Sequence, residues 1–173
     1  MGKRTVGRII VKHTQFPLFD NTKTVDLATL LHPMGTDPYR RFRDQLRNSF
    51  YREVGTSSIA GLISTYCYRH PTNTVYLESV ESLLRSHGWR TYTFLLVADK
   101  ATLLSRVKGT ERRDKHTLHR EQDLSSWLAS SPKCNVPPFP ACVVIETTHL
   151  SATEVAEIVM EKAEVPNAAE GSA

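Results

Sequence analysis

The chain has little cysteine, and what it has follows no pattern. Cys67, Cys134 and Cys142 are the three it contains. An odd number without a C-x-x-C spacing argues against a disulfide framework and for free thiols in a reducing, cytoplasmic compartment. His116 and His119 stand three apart with Cys134 beyond them, but no fourth ligand follows at a usable spacing, which argues against a zinc site. No apolar run approaches the roughly 18 residues of a membrane span. The N-terminus is basic rather than signal-like, so no membrane partner is expected. Aromatic residues do not interleave with the basic ones and no recognition motif is present, which leaves no specific nucleic-acid partner. There is no internal repeat.

What remains is a chain of 173 residues, 40% hydrophobic and 23% charged, the composition of one globular domain with a core of ordinary size. A net charge of +4 and a pI near 9.1 suit an anionic ligand such as a nucleotide, or simply a mildly basic surface. Arg40, Arg41, Arg43, Arg47 and Arg52 crowd one segment. The most informative stretch is the first: Gly2-Lys3-Arg4-Thr5 followed by Val6, Ile9 and Ile10 at helical spacing. This matches the back half of a phosphate-binding loop, G-x-x-x-x-G-K-[ST], running into its helix. In that motif backbone N–H groups cradle phosphates, the lysine adds a point charge and a hydroxyl holds Mg²⁺. Arg4 stands in the usual hydroxyl position and Thr5 one place later.

Along the chain, helical periodicity begins near Lys3, and Phe16-Pro17-Leu18-Phe19, ended by Asp20-Asn21, predicts a short strand and turn. Residues 24–31 predict a short helix. Asp37-Pro38 opens a longer one with Tyr39, Phe42, Leu46, Phe50 and Val54 along one face and Gly55 at its end. Residues 59–68 have little polar alternation, as expected of a central strand covered on both faces. A helix over 75–87, a buried strand over 91–98 and a helix over 101–107 follow. Residues 108–120 are a charged segment, and 118–128 recover helix. Ser131 to Pro140 holds four prolines, which break any ladder or helix. A buried strand over 142–145 and a final helix opened by the capping box Ser151-Ala-Thr-Glu154 complete the order. Residues 165–173 form a polar tail expected to fray. Strands alternating with helices predict an α/β fold, three layers around a parallel sheet.

These pieces resemble the P-loop small-molecule and nucleotide kinases of the adenylate, shikimate and gluconate kinase kind. They are closest to the shikimate-kinase-like proteins often labelled AAA-family ATPase. The likeness runs through Gly2-Lys3-Arg4-Thr5-Val6-Gly7-Arg8, Phe16-x-Leu18-Phe19-x-Asn21, Thr24-Val25-Asp26-Leu27 and Gly61-Leu62-Ile63-Ser64-Thr65-Tyr66. It continues through Phe94-Leu95-Leu96-Val97, Arg112-Arg113-x-Lys115 and Val144-Ile145-Glu146-Thr147-Thr148. It implies one kinase-like domain over 1–164 with a lid near 108–120. The family's first, central strand and the front of its loop would lie before Met1, so that strand is expected to be missing or truncated.

The resemblance implies ATP and Mg²⁺ as cofactors and a small-molecule phosphate acceptor. Gly2, Lys3, Arg4 and Thr5 would hold the nucleotide, with Thr5 on the metal. Asn21 and Asp26 would face the acceptor, Asp26 orienting or deprotonating its hydroxyl. Arg43, with Arg47 one turn on, would bind an anionic acceptor, beside the plainer reading of a solvated helix face. Lys3 and the lid arginines Arg112 and Arg113 would neutralise charge on the transferred group. Thr65 would line the cleft. A different reading keeps the fold without the activity: a truncated or degenerate module whose unpaired strand edges favour self-association.

Overall fold

A computed structural model of the protein describes residues 2–107, 124–125 and 136–165. The first helix, α1 (Lys3–Thr14), buries Val6, Gly7 and Ile10 and ends at Gln15 in the left-handed conformation. It leads into β1 (Leu18–Asp20), α2 (Thr22–Leu31) and α3 (Asp37–Thr56). Thr36, rather than Asp37, caps α3: its hydroxyl accepts from the Tyr39 N–H, while Pro38 occupies the first turn and Asp37 pairs with Arg40. Then come β2 (Ile63–Thr65), α4 (Thr74–Ser86), β3 (Phe94–Val97), α5 (Lys100–Val107), β4 (Val143–Glu146) and α6 (Ala152–Lys162).

The strands form two short parallel sheets, β1 with β2 and β3 with β4. The fold is mixed α/β, with parallel pairing as the βαβ order requires. The sheets are shorter than the sequence suggests. Residues 59–68 yield only a three-residue strand whose middle residue, Ser64, is exposed. Its partner sets the limit. Pro17 carries no N–H to extend the ladder upstream, although its carbonyl still accepts from Ile63 N, and α2 begins directly after Asn21. Gly61 lies so close under the Phe16 ring that a Cβ there would collide with it. The strand expected to be fully buried, β3, is half-buried at all four positions. Among the described residues β3 pairs with β4 alone, and β2 with β1 alone.

One core joins the two sheets. Val6 and Ile10 of α1 and Val155 and Ala156 of α6 form its buried centre, and Ile63 of β2 and Leu96 of β3 both pack against it. Behind β1, Phe19 stacks on Phe50 of α3 and meets Tyr51 edge-on. Arg106 ties α5 to the end of β4, donating from Nη1 to the Thr147 hydroxyl and from Nη2 to the Thr147 carbonyl. Leu124 is fully buried. No helix among the described residues is long and apolar enough to cross a membrane.

The capping box of α6 forms as its sequence predicts: Ser151 Oγ accepts from Glu154 N at 3.2 Å, and Ser151 N donates to Glu154 Oε2 at 2.7 Å. That backbone donor holds the Glu154 carboxyl below its ordinary 4.5. A carboxyl depressed by folding contributes stability above its unfolded pKa, and loses it as pH falls through the folded value. Glu154→Ala should therefore lower the melting temperature near neutral pH, and its gap to wild type should close as pH drops below 4.5. A gap that persists or widens in acid would contradict the cap.

Candidate functional site

Parallel pairing places the carboxyl ends of β1 and β2 side by side, with Asp20 opposite Thr65 in register. Ligands of open α/β sheets bind at such carboxyl ends. Asp20 is buried, 6% exposed. Its Oδ1 accepts from Thr22 N at 3.1 Å and from the Thr65 hydroxyl at 3.2 Å. Its Oδ2 lies 3.0 Å from Arg4 Nε, yet that buried oxygen receives no directed hydrogen bond. The distance and the missing bond are compatible when the Arg4 N–H does not point at the oxygen, so the contact is coulombic. The neighbouring Asn21 Oδ1 is likewise buried without a donor.

The Arg4–Asp20 contact brings the start of α1 to this same edge. Gly2 takes φ 108°, a left-handed conformation that suits glycine, and its carbonyl accepts from Val6 N as the helix begins. No side chain caps α1 and no acid stands in its first turn. The N–H groups and the positive end of the dipole are thus available to an anion. Lys3 is half-buried and Thr5 exposed beside them. Asp20 and Asn21 thus present two buried oxygen acceptors without hydrogen-bond donors, the hard donor type that Mg²⁺ takes.

A second cluster lies on α3. Tyr39, Arg43, Arg47 and Tyr51 follow at steps of four and share one stripe. Arg47 is 3% exposed, which overturns the solvated-face reading for it. Its Nε donates to Thr24 Oγ1 at 3.1 Å and its Nη1 to Asp44 Oδ1 at 3.2 Å. Arg43 grips the same carboxylate with two bonds, Nε to Oδ1 at 2.9 Å and Nη2 to Oδ2 at 3.0 Å. The Arg47 guanidinium sits 5.4 Å from the centre of the Tyr66 ring, which stacks on Tyr76 at 5.6 Å. Burial pulls the Arg47 pKa down without discharging it. For Arg43 burial acts the same way, but the hydrogen bond and charge of Asp44 outweigh it and raise the pKa. Burial pushes Tyr66 and Tyr76 up, so both phenols stay protonated donors.

Of the residues expected from the sequence, Arg4 and Asn21 lie at the first cluster, with Gly2, Lys3 and Thr5 beside Arg4 in the chain, and Arg43 lies at the second. Asp26 lies on the exposed side of α2, where its carbonyl accepts from the Thr29 hydroxyl. Arg112, Arg113 and the lid at 108–120 lie outside the described residues. From the sequence Asp20 reads only as part of a turn; its place at the end of a predicted strand is the available signal. The burial of Arg47 was signalled by the tyrosines four residues to either side of the Arg43–Arg47 pair.

No protein-family model matches this chain, and no curated protein does. Among solved structures it is similar to the tunicamycin resistance protein of Deinococcus radiodurans, with a TM-score of 0.61 and 18% identity over 96% of this chain and 91% of that one. The two chains share a fold. With the short parallel sheets, this supports a mixed α/β fold, and the relation is a distant one. At that identity no residue role passes from one chain to the other.

Proposed function

We propose that the protein is a cytoplasmic P-loop-kinase-like enzyme that binds ATP with Mg²⁺ and transfers the γ-phosphoryl group to a small-molecule acceptor. One observation carries the reading: a buried, under-bonded carboxylate oxygen of Asp20 beside the uncapped start of α1. Phosphates would sit on the first N–H groups of α1 beneath Lys3, with Arg4 and Thr5 at their flank. The metal, held by Asp20, Asn21 and Thr5, would neutralise charge on the phosphates. Lys3, with Arg112 and Arg113 of the lid, would spread over the transferred group, since phosphoryl transfer is catalysed by positioning and electrostatics. Asn21, Asp26 and Arg43 would face the acceptor, Asp26 orienting its hydroxyl. Transfer of labelled γ-phosphate to a panel of small hydroxylated acceptors tests the reading, with Lys3→Ala as the inactive control. Label transfer to no acceptor, or equal transfer by Lys3→Ala, would count against it.

The sheet topology favours a second reading, a non-catalytic module of the same fold. β2 and β3 each have one neighbour among the described residues, and open edges recruit strands from other chains. On this reading sedimentation velocity should show concentration-dependent association, suppressed by Ser64→Pro on the exposed position of β2. A monomer at all concentrations that melts cooperatively at high temperature would contradict it.

A further inference from the structure

We propose that the pocket between the end of α4 and the start of β3 binds a carboxylate carried on a single aromatic ring. Arg90 and the Tyr92 hydroxyl are its donors, and Glu164 is the internal group that the ligand displaces. None of these residues belongs to the Asp20 or the Arg47 cluster, so the site stands whether or not the kinase-like reading holds.

The pocket has a volume of about 400 Å³, room for a small molecule. It lies at the amino end of β3, whereas Asp20 and Thr65 stand at the carboxyl ends of β1 and β2. Hydrogen bonds fix its walls. Thr91 Oγ1 accepts from Arg85 Nε at 3.0 Å and donates to Glu81 Oε1 at 3.1 Å, and Arg85 Nη2 closes the triangle on that Glu81 oxygen at 2.6 Å. Trp89 Nε1 donates to the Gly55 carbonyl at 3.3 Å, which holds the indole against the end of α3. Trp89 is half-buried and Tyr92 exposed; both line the pocket and offer aromatic surface to a ring.

Glu164 supplies the argument for charge. Helices α4 and α6 end in the same motif. After α4, Gly88 N donates to Arg85 O and Trp89 N to Leu84 O; after α6, Glu164 N donates to Glu161 O and Val165 N to Met160 O. The motif turns on a left-handed residue, and α4 uses Gly88 at φ 83°, as sterics favour. In α6 that residue is Glu164 at φ 51°, a conformation that costs any residue with a Cβ. What the glutamate adds is its carboxylate. Its Oε2 lies 3.5 Å from Arg90 Nη1 and accepts from the Tyr92 hydroxyl at 3.5 Å, so a cation and a phenol O–H already converge on one carboxylate oxygen. Both contacts are long against the roughly 2.7–2.9 Å of a charge-assisted hydrogen bond. The Arg90 and Glu164 side chains are 76% and 72% exposed, and a pair so exposed holds weakly. A carboxylate not tethered to a helix end can close on both donors while its ring lies against Trp89 and Tyr92.

Benzoate is the probe, with benzyl alcohol as the neutral ring and acetate as the carboxylate without a ring. Titration at constant ionic strength is followed on the Trp89 indole N–H resonance of the whole chain. Benzoate should bind about tenfold more tightly than benzyl alcohol, the size expected for one charge-assisted hydrogen bond, and more tightly than acetate. Arg90→Gln, at an exposed position, should remove most of that advantage. Glu164→Gln should tighten benzoate about two- to fivefold, the worth of the exposed pair it dissolves; an ion pair with a merely structural role predicts no change. Benzoate no tighter than benzyl alcohol, or bound by Arg90→Gln as by wild type, would overturn the site. Benzoate binding left unchanged or weakened by Glu164→Gln would overturn the displacement.

Discussion

Phe19→Ala is expected to remove about 3–5 kcal/mol of unfolding free energy, the range for deleting a buried phenylalanine. Phe19 is 7% exposed, its ring 3.7 Å from that of Phe50 at 16° and 5.6 Å from that of Tyr51 at 87°. Truncation loses the transfer free energy of the ring, leaves a cavity and breaks both aromatic pairings. Domains of this size are stable by about 5–15 kcal/mol, so most of the margin could go in one substitution. The melting temperature should fall by about 6–20 °C, at roughly 2–4 °C per kcal/mol. Phe19→Leu should cost far less, since it keeps most of the volume. Chemical denaturation of the three proteins decides it. A loss below about 1 kcal/mol for Phe19→Ala would mean that β1 is not anchored to α3 as described.

The second large effect falls on function. Asp20→Asn keeps the shape of the side chain and an acceptor for Thr22 N and the Thr65 hydroxyl, but removes the charge. Because Arg4 is 39% exposed, water can take over its half of the pair, and stability should change by about 1 kcal/mol or less. Dependence on Mg²⁺ should change far more: affinity for the metal–nucleotide, or turnover once an acceptor is known, should fall by about 10–100-fold, as when a group that orients a metal is lost. Asp20→Ala serves as the contrast. It strands the buried Thr65 hydroxyl and the half-buried Thr22 N–H and should cost about 1–3 kcal/mol for the buried donor, so its loss of function would mix folding with chemistry. Asp20→Asn that binds Mg²⁺·ATP like wild type would remove Asp20 from the site.

The order of helices and strands was legible because it rests on local signals: the periodicity of α1, the glycine and proline punctuation around α3, and the capping box of α6. The extent of the strands was not. Residues 59–68 read as a strand by composition, but a ladder needs donors from its partner, and Pro17 and the immediate start of α2 allow β1 only three residues. Composition likewise predicted a buried β3. Burial, however, depends on what lies against the strand, and β3 has one described neighbour. In the site, the Gly2–Thr5 segment announced itself by motif, whereas Asp20 acquires meaning only from its register opposite Thr65 and its approach to Arg4, both long-range facts. Arg47 shows the same limit: an arginine in a basic segment reads as surface until Tyr66 and Thr24 are seen to close over it.

The central claim is that the start of α1 holds the phosphates of a metal-bound nucleotide, and titration calorimetry of Mg²⁺·ATP against wild type and Lys3→Ala tests it most directly. The account predicts saturable 1:1 binding by the wild type, weakened about tenfold or more by Lys3→Ala, the size expected for losing a charged contact to phosphate. Absence of heat and of competition in both proteins, or equal binding by both, would contradict it.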